Sequence, residues 1–191
     1  MEFDPESESM YRWLSGAVVP RPIAWVSTDG PAGRNLAPYS FFNVMCVSPP
    51  IVAFAPGQTP EGEQKDTLRN ARARGAFVVN LVSVDLGKSM VATAATTEDD
   101  EFDLAGVTAV DASEVDGPRV AEAPVAFECR LHDTLELGSN TATFGRVVRI
   151  HAREDVVTDR KMDTAKFDAL GRLAADGYCT TRDRLRLERP R

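Results

Sequence analysis

The sequence predicts a mainly β fold with attached helices. Runs rich in β-branched and aromatic residues, which favour strands, recur through both halves of the 191-residue chain. Helical runs are few and short, and no GxGxxG motif follows any predicted strand. Many strands with few helices fit an antiparallel barrel or sandwich better than a doubly wound parallel sheet.

The N-terminal half begins with a polar lead-in over residues 1–16, in which a short helix is expected around residues 10–14. Beyond it, apolar strand-type runs alternate with runs of helical periodicity. The predicted strands are 23–28, 35–44, 51–55 and 76–82, and the predicted helices are 65–74 and 85–95.

Turn and cap residues set the boundaries of these elements. Residues 29–33 predict the turn of a hairpin between the first two strands, and the Ser-Pro-Pro run at 48–50 is expected to break the pairing. Asp66 or Thr67 is the expected cap of the helix that Gly75 ends.

The C-terminal half is predicted to return to β structure, with strands at 107–110, 125–131 and 141–152 and a helix over 164–174. The acidic stretch 98–103 is expected to be a solvated loop or helical turn. The tail over 182–191 is expected to be a solvated, frayed end, with contact to a partner chain or a nucleotide as the alternative. Its arginines are Arg182, Arg184, Arg186, Arg189 and Arg191. No Gly-, Ser- or Pro-rich linker divides the chain, so a single domain over 1–191 is predicted.

Composition excludes several classes of protein. With 22 basic and 29 acidic residues, the net charge of −7 disfavours a nucleic-acid binder, which needs a basic face. No apolar run approaches the roughly 20 residues that span a bilayer, and the acidic N-terminus is unlike a secretory signal. A cytoplasmic protein is therefore expected. Three widely spaced cysteines and two histidines suggest neither a metal site nor a disulfide framework.

Arg21 lies between two prolines, directly before the first predicted strand. The prolines fix an extended backbone, and a guanidinium on stiff backbone offers an anion several donors in a fixed fork. The alternative is a surface arginine in a polyproline-like lead, because most charged side chains are simply solvated.

Residues 35–43, NLAPYSFFN, mix aromatic rings with short hydroxyl and amide groups. Such a strand can place a ring beside a planar ligand and a hydroxyl on a ligand oxygen. The alternative is a core strand in which Phe41 is buried and Ser40 bonds to the backbone.

Residues 65–67, Lys-Asp-Thr, open a predicted helix. A helix N-terminus presents unpaired N–H groups and partial positive charge, so an adjacent lysine and threonine make a suitable phosphate seat. Asp66 would repel a phosphate and is better interpreted as a cap or an ion-pair partner.

These motifs, taken in order, resemble one family. The order PRPIAWVST, NLAPYSFFN, SPP, KDTLRNA, AFVVNLV is similar to that of flavin reductase-like, FMN-binding split-barrel proteins, and most similar to their flavoredoxin-like branch. Further on, FGRVVRIH resembles a "G-x-V" strand of that family, and LGRL followed by Tyr178 resembles its C-terminal motif. The resemblance covers about residues 11–180.

The resemblance implies a six-stranded antiparallel split β-barrel that forms a homodimer and holds FMN in a groove near the interface. Phosphate or ribityl contacts would come from Ser40, Lys65 and Thr67. Residues that would line the flavin are Arg21, Ser27, Thr28, Tyr39, Phe41 and Cys46, with Asn80 and Arg172 as further contacts and Tyr178 at the ring edge. No catalytic residue or metal is implied, because the flavin itself carries the chemistry.

The activity that the resemblance implies is hydride transfer from NADH or NADPH to flavin. Electrons would pass on to free flavin, a flavin-dependent monooxygenase or another small acceptor. Asn140 departs from the pattern, because several reductases of this kind have a histidine there. The alternative is therefore an FMN-binding electron carrier, or a flavin-holding protein, without NAD(P)H turnover. A third hypothesis is a structural or sensory β-domain that binds no flavin.

The remaining histidines and cysteines are assigned to structure. His151 is expected to be structural and His132 exposed. Cys129 and Cys179 are assigned to packing. Cys46 stands where a serine is common in the family, and it is expected either to touch the ring system or to pack as a small apolar residue.

Overall fold

The structure, a computed structural model, describes residues 1–95, 97, 99–188 and 190. Within them the chain forms one seven-stranded sheet, three small sheets and short helices. The helices are α1 (Tyr11–Ala17), α2 (Asp66–Arg74), α3 (Gly87–Ala92) and α4 (Glu101–Ala105), with 3-10 turns at Val84–Leu86 and Glu154–Val156. Glu98 of the acidic stretch, and Arg189 and Arg191 of the tail, lie outside the described residues.

The strands are mostly short, and two long ones form a hairpin. In chain order they are β1 (Arg21–Pro22), β2 (Ala24–Thr28), β3 (Asn35–Tyr39), β4 (Phe42–Val47), β5 (Pro50–Phe54), β6 (Ala76–Leu81), β7 (Ala109–Asp111), β8 (Pro118–Val120), β9 (Val125–Leu137), β10 (Asn140–Ala152), β11 (Val157–Thr158), β12 (Lys161–Met162), β13 (Leu170–Arg172) and β14 (Tyr178–Thr180). The large sheet has the order β3-β2-β6-β9-β10-β5-β4, and all its neighbours are antiparallel. The small sheets are β1-β13-β14, β7-β8 and β11-β12.

The large sheet curls because its two edge strands are consecutive in the chain. β3 and β4 lie at opposite edges, yet only Ser40 and Phe41 connect them. The edges must therefore approach one another: the ring of Tyr39 on β3 and the ring of Phe54 on β5, the neighbour of β4, have centroids 5.1 Å apart. The sheet has seven strands instead of the predicted six, because the predicted strand 35–44 divides at this connection.

Both faces of the curled sheet are covered, which explains why β2 is buried throughout. Alternate residues of a strand point to opposite faces. The inner cluster is Ala24, Val26, Val52, Phe54, Ala71, Phe77, Val79 and Cys129. The outer cluster is Ile23, Trp25, Leu36, Val82, Met90, Phe102, Ala105, Val120 and Ala123. Trp25 also donates from Nε1 to the Thr93 hydroxyl at 2.8 Å, which fixes the chain after α3 against the sheet.

The β9–β10 hairpin is longer than predicted, because it extends past the barrel to exposed residues such as Leu135 and Leu137. Gly138 makes the turn with a φ of +62°, where glycine carries little penalty. The register shifts at Gly145. A Cβ there would lie 2.2 Å from Cζ of Phe77, so only glycine fits against this ring.

Two predicted connections are different in the structure. Residues 48–50 do not break the pairing. They turn the chain directly between β4 and β5, and Val47 pairs with Pro50. The cap of α2 is Lys65, whose backbone is extended, while Asp66 and Thr67 lie inside the helix. Gly75 ends that helix in the left-handed conformation, as predicted.

The C-terminal helix predicted over 164–174 is wrong, because residues 170–172 form the central strand of the β1-β13-β14 sheet. The acidic stretch leads into a helical turn, one of the two predicted alternatives: Asp100 accepts from the Phe102 amide at 2.9 Å and caps α4. Phe102 is 1% exposed, so its burial in the outer cluster overrides the solvated character of its neighbours. The predicted helix 85–95 consists of the 3-10 turn at Val84–Leu86 followed by α3.

His151 is structural, as expected. Its Nε2 lies 2.5 Å from Oε1 of Glu128, a fully buried carboxylate that also accepts from the amides of Ser113 and Glu114. Burial opposes ionisation of this group, but these hydrogen bonds outweigh it and lower the pKa of Glu128 to about 2. The pair fastens the segment after β7 to the β9–β10 hairpin.

Candidate functional site

A cleft of about 590 Å³ lies where β3, the loop before α2, the start of α2 and the start of α4 meet. Its wall includes Tyr39, Lys65 and Thr67, three of the residues predicted to bind a cofactor. Asn35 and Glu101 also line it. The edge strand β3 and the capped ends of two helices therefore converge on one concave surface.

The start of α2 offers donors to this cleft. The helix has nine residues, and Lys65 precedes it in extended backbone. Among the described residues, the backbone amides of Asp66 and Thr67 form no hydrogen bond, whereas those of Leu68 and Arg69 donate to the Lys65 carbonyl. Two free amides at the positive end of a helix, beside a half-buried lysine, suit an anion.

Four side chains of the cleft form a hydrogen-bonded chain. The Tyr39 hydroxyl donates to Oγ1 of Thr67 at 2.8 Å, and the Thr67 hydroxyl donates to Oδ1 of Asn35 at 2.5 Å. The Asn35 amide then donates to Oε1 of Glu101 at 3.1 Å. Because the buried Thr67 hydroxyl both accepts and donates, it holds β3, α2 and α4 in a fixed relation.

The same enclosure shifts two pKa values. Burial, assisted by the charges of Asp66 and Glu101, raises the pKa of Tyr39 above its ordinary value, so the phenol stays protonated and donates. Burial, assisted by the charge of Asp100, raises the pKa of Glu101. The cleft thus contains a carboxyl group that is easier to protonate than an ordinary glutamate.

The charges around the cleft are mixed. Asp66 forms an ion pair with Arg69 at 2.9 Å, which agrees with its interpretation as an ion-pair partner. Among the described residues, Lys65 forms no salt bridge, so its ammonium is available to a ligand. Glu61 and Glu63 add exposed carboxylates from the loop before α2.

Sequence reasoning missed Asn35 and Glu101. Asn35 begins the NLAPYSFFN motif and could have been found as a short amide on the same strand as Tyr39. Glu101 stands in the acidic stretch, where nothing in the sequence separates it from its solvated neighbours.

Arg21 is buried, 6% exposed, which rules out a surface arginine. Its guanidinium donates to the carbonyls of Ser15, Val18 and Leu173 and to the Ser40 hydroxyl. Four of its five N–H groups are therefore used inside the protein. The Arg21 side chain therefore connects α1, the residue that follows β3 and the segment that follows β13.

Ser40 and Phe41 lie at the connection between the sheet edges, next to the end of the cleft. The Ser40 hydroxyl accepts from Arg21 and, among the described residues, forms no hydrogen bond with the backbone. Phe41 is 41% exposed, so Ser40 and Phe41 do not form a core strand. Cys46 follows on β4, half-buried and paired with Ile51.

Ser27, Thr28 and Asn80 form a buried network away from the cleft surface. The Asn80 amide donates to the Trp25 carbonyl at 3.0 Å and to the Ser27 hydroxyl at 2.9 Å. Its Oδ1 accepts from the Val120 amide at 2.9 Å. With exposures of 0–1%, these three side chains tie β8 and α2 to the sheet instead of meeting solvent.

Arg172 and Tyr178 lie on the β1-β13-β14 sheet, where the guanidinium carbon stands 4.7 Å from the ring centroid. A separate apolar pocket of about 250 Å³ adjoins this sheet and shares no lining residue with the cleft. Neither Arg172 nor Tyr178 lines the cleft that contains Lys65.

In the part of the chain that the structure describes, no helix is both long enough and apolar enough to span a bilayer. No group of three or more His, Cys, Asp or Glu side chains there is arranged to hold a metal ion.

Comparison with known proteins identifies the fold and its relatives. A family model described as "Flavin reductase like domain" matches residues 15–166. An uncharacterised protein of Deinococcus radiodurans is 42% identical over 196 residues, which cover 97% of this chain and 86% of that protein.

Several solved structures have the same fold as this chain. Nitrilotriacetate monooxygenase component B from Bacillus cereus has a TM-score of 0.93 at 30% identity, with 98% of each chain covered. The 2-nitrobenzoate 2-nitroreductase NbaA of Pseudomonas fluorescens has a TM-score of 0.91 at 31% identity, with 100% of this chain and 96% of that chain covered. Flavoredoxin of Desulfovibrio vulgaris (Miyazaki F) shares the fold, with a TM-score of 0.79 at 22% identity and coverages of 98% and 97%.

Removal of the Thr67 hydroxyl tests the hydrogen-bonded chain. We expect Thr67→Val to lower the free energy of unfolding by about 1–3 kcal/mol, because Tyr39 and Asn35 each lose a buried partner. Urea unfolding of the purified protein measures this change. Thr67→Ser keeps the hydroxyl and is the matched control. Equal stability of the valine variant and the wild type would show that these hydrogen bonds contribute nothing to the free energy of unfolding.

Proposed function

The chain belongs to the flavin reductase like family and has its split-barrel fold, and from this we propose that it is an FMN-binding oxidoreductase. Hydride from NADH or NADPH passes to the flavin, and electrons then pass to free flavin, a partner monooxygenase or another small acceptor. The observation that carries the proposal is the cleft at the start of α2, where an unpaired lysine adjoins two free backbone amides.

The donors of this cleft fit the phosphate of FMN. Lys65 supplies a charge, and the Asp66 and Thr67 amides supply directed N–H groups. The Thr67 hydroxyl donates to Asn35 and so holds the start of α2 in place. The ion pair between Asp66 and Arg69 offsets part of the negative charge that Asp66 places beside the phosphate.

The ring of the flavin is proposed to lie toward Ser40, Phe41 and Cys46. Ser40 and Phe41 follow Tyr39 directly, and the exposed Phe41 ring offers an apolar surface to a planar ligand. FMN, when bound, supplies the hydride-accepting chemistry. The protein orients it, donates hydrogen bonds and leaves one ring face open.

The buried positions of Arg21, Ser27, Thr28 and Asn80 support a positioning part for these residues instead of direct contact. Arg21 holds the Ser40 hydroxyl at 3.3 Å, and the Asn80 network fixes β2 behind β3. Their proposed effect on the flavin is therefore through the strands that they hold.

The electron carrier remains the second candidate, and Asn140 favours it. The Asn140 amide donates to the Ala55 carbonyl at 3.1 Å, so its side chain is occupied in joining β10 to the segment after β5. An asparagine used in this way cannot replace a histidine that assists a nicotinamide.

The names of the relatives support two kinds of acceptor. A monooxygenase component B suggests delivery of reduced flavin to a partner monooxygenase, and a nitroreductase suggests reduction of a small acceptor. We propose the first, since the component B structure has the higher TM-score, 0.93 against 0.91. We also propose a cytoplasmic location and a single domain, which the β1-β13-β14 sheet supports by joining the two ends of the chain.

A homodimer is proposed on the exposed edge of the large sheet. β4 presents Val44, Met45 and Val47 to solvent, with exposures of 56%, 52% and 84%. An apolar edge strand of this kind is usually covered. Sedimentation should give about twice the chain mass of 20.8 kDa, with FMN lost on dissociation; a monomer that binds FMN equally well would contradict the proposal.

The visible absorption spectrum tests the proposed function. The purified protein, soaked with FMN, should show a flavin band that bleaches when NADH or NADPH is added without oxygen. A band that persists would favour the electron carrier. Absence of any band would overturn flavin binding altogether.

Lys65→Ala tests the phosphate seat. We expect FMN affinity to fall more than tenfold, since a charge-assisted contact contributes about 1.5–3 kcal/mol. Fluorescence titration of FMN measures it. Lys88→Ala, on the exposed surface of α3, is the matched control and should bind like the wild type. An unchanged dissociation constant for the Lys65 variant would remove this lysine from the site.

A further inference from the structure

We propose that Glu101 sets the affinity of the cleft for phosphate: the phosphate of FMN binds strongly only when the Glu101 carboxyl is protonated, so that FMN binding takes up a proton. This inference rests on the proposed function, because it assumes that the phosphate lies at the start of α2. Because riboflavin lacks the phosphate, Glu101 would make the preference for FMN over riboflavin depend on pH.

The geometry places Glu101 beside the phosphate seat. Its Oε1 is 3.1 Å from the Asn35 amide nitrogen, and the same Asn35 side chain accepts from the Thr67 hydroxyl at 2.5 Å. Glu101 is thus two hydrogen bonds from the hydroxyl that adjoins the free amides of α2. The charge of Glu101 also reaches the Tyr39 hydroxyl, since it contributes to the raised pKa of that phenol.

The other carboxylates near the cleft are neutralised or exposed. Asp66 is paired with Arg69. On α4, Asp100 caps the helix and accepts from Arg34, whose guanidinium lies 2.5 Å from it and 3.9 Å from Asp103. From the loop before α2, Glu61 and Glu63 are exposed to solvent, which screens their charge.

Glu101 differs from all of these. It is half-buried, and its partner Asn35 is neutral, so no cation offsets its charge among the described residues. Of the other residues that line the cleft, Thr93 and Thr97 are neutral, and Lys65 is the cation that the phosphate itself would bind. Glu98 lies outside the described residues.

In Glu101 a phosphate therefore meets a half-buried negative charge that no ion pair offsets among the described residues. Two like charges disfavour one another's ionised form, so a bound phosphate must raise the pKa of Glu101 beyond the increase that burial already causes. Protonation removes the repulsion and turns the carboxyl group into a donor. The affinity for FMN should therefore fall as the pH rises through the range in which free Glu101 loses its proton.

Isothermal titration calorimetry of the full chain with FMN tests the proposal, in two buffers of different ionisation enthalpy between pH 5.5 and 7.5. The wild type should take up more protons than Glu101→Gln, whose amide is neutral at every pH. At pH 7.5 the variant should bind FMN about tenfold tighter than the wild type, the size expected for one charge at this range in a partly screened site.

Two controls isolate the cause. Asp103→Asn removes a charge from the same helix at a side chain that is 83% exposed, and it should retain the proton uptake of the wild type. Riboflavin lacks the phosphate, so its binding to the wild type should show no uptake by Glu101. This comparison is read beside the Glu101→Gln variant, because the phosphate of FMN itself exchanges a proton at about pH 6.

The outcomes separate the two proposals. Equal proton uptake by the wild type and Glu101→Gln, or equal uptake with FMN and riboflavin, would overturn the part assigned to Glu101 while FMN binding stands. A wild type that binds neither ligand would overturn the proposed function instead.

Discussion

Two residues, Ser40 and Phe41, impose the constraint from which the rest of the structure follows. They join β3 to β4, although these strands form opposite edges of a seven-stranded sheet. A flat sheet of seven strands spans roughly 30 Å from edge to edge at about 4.8 Å per strand, and two residues cannot bridge that distance. The sheet must curl, and the curl creates an inner face that Phe54 and Phe77 fill edge to face, with ring centroids 5.2 Å apart.

The site depends on the same curl. The connection leaves β3 as an edge strand whose partner side is open, so Asn35 and Tyr39 can be reached from α2. α2 enters the inner cluster with Ala71, which fixes where its N-terminus lies relative to β3. Lys65 is therefore held in place by the packing of Ala71, further along the same helix, and the phosphate seat is a consequence of the barrel instead of an addition to it.

Local signals predicted this half of the molecule well. The β2–β3 hairpin, the helix ended by Gly75 and the placement of Lys65 and Thr67 on one wall all follow from turn, cap and pattern rules that act within a few residues. Features that depend on contacts between distant parts of the chain could not be predicted from the sequence in the same way. Whether Phe102 is solvated or buried is decided by the outer cluster, and β13 is a strand because β1, about 150 residues earlier, supplies its partner. For the same reason Glu101 could not be separated from its acidic neighbours in the sequence.

The electrostatics of the cleft result from a competition between attraction and burial. Two free amides and Lys65 attract an anion, while Glu101 opposes it from the far end of the Thr67–Asn35 hydrogen bonds. If Glu101 were as exposed as Glu63, water and salt would screen it and the opposition would be small. Because Glu101 is half-buried and hydrogen-bonded to a neutral amide, its charge still acts on a bound phosphate. Only protonation of the carboxylate removes that effect. A seat of this composition releases phosphate more readily than one built from cations alone, which suits a protein whose proposed role is to exchange flavin with a partner.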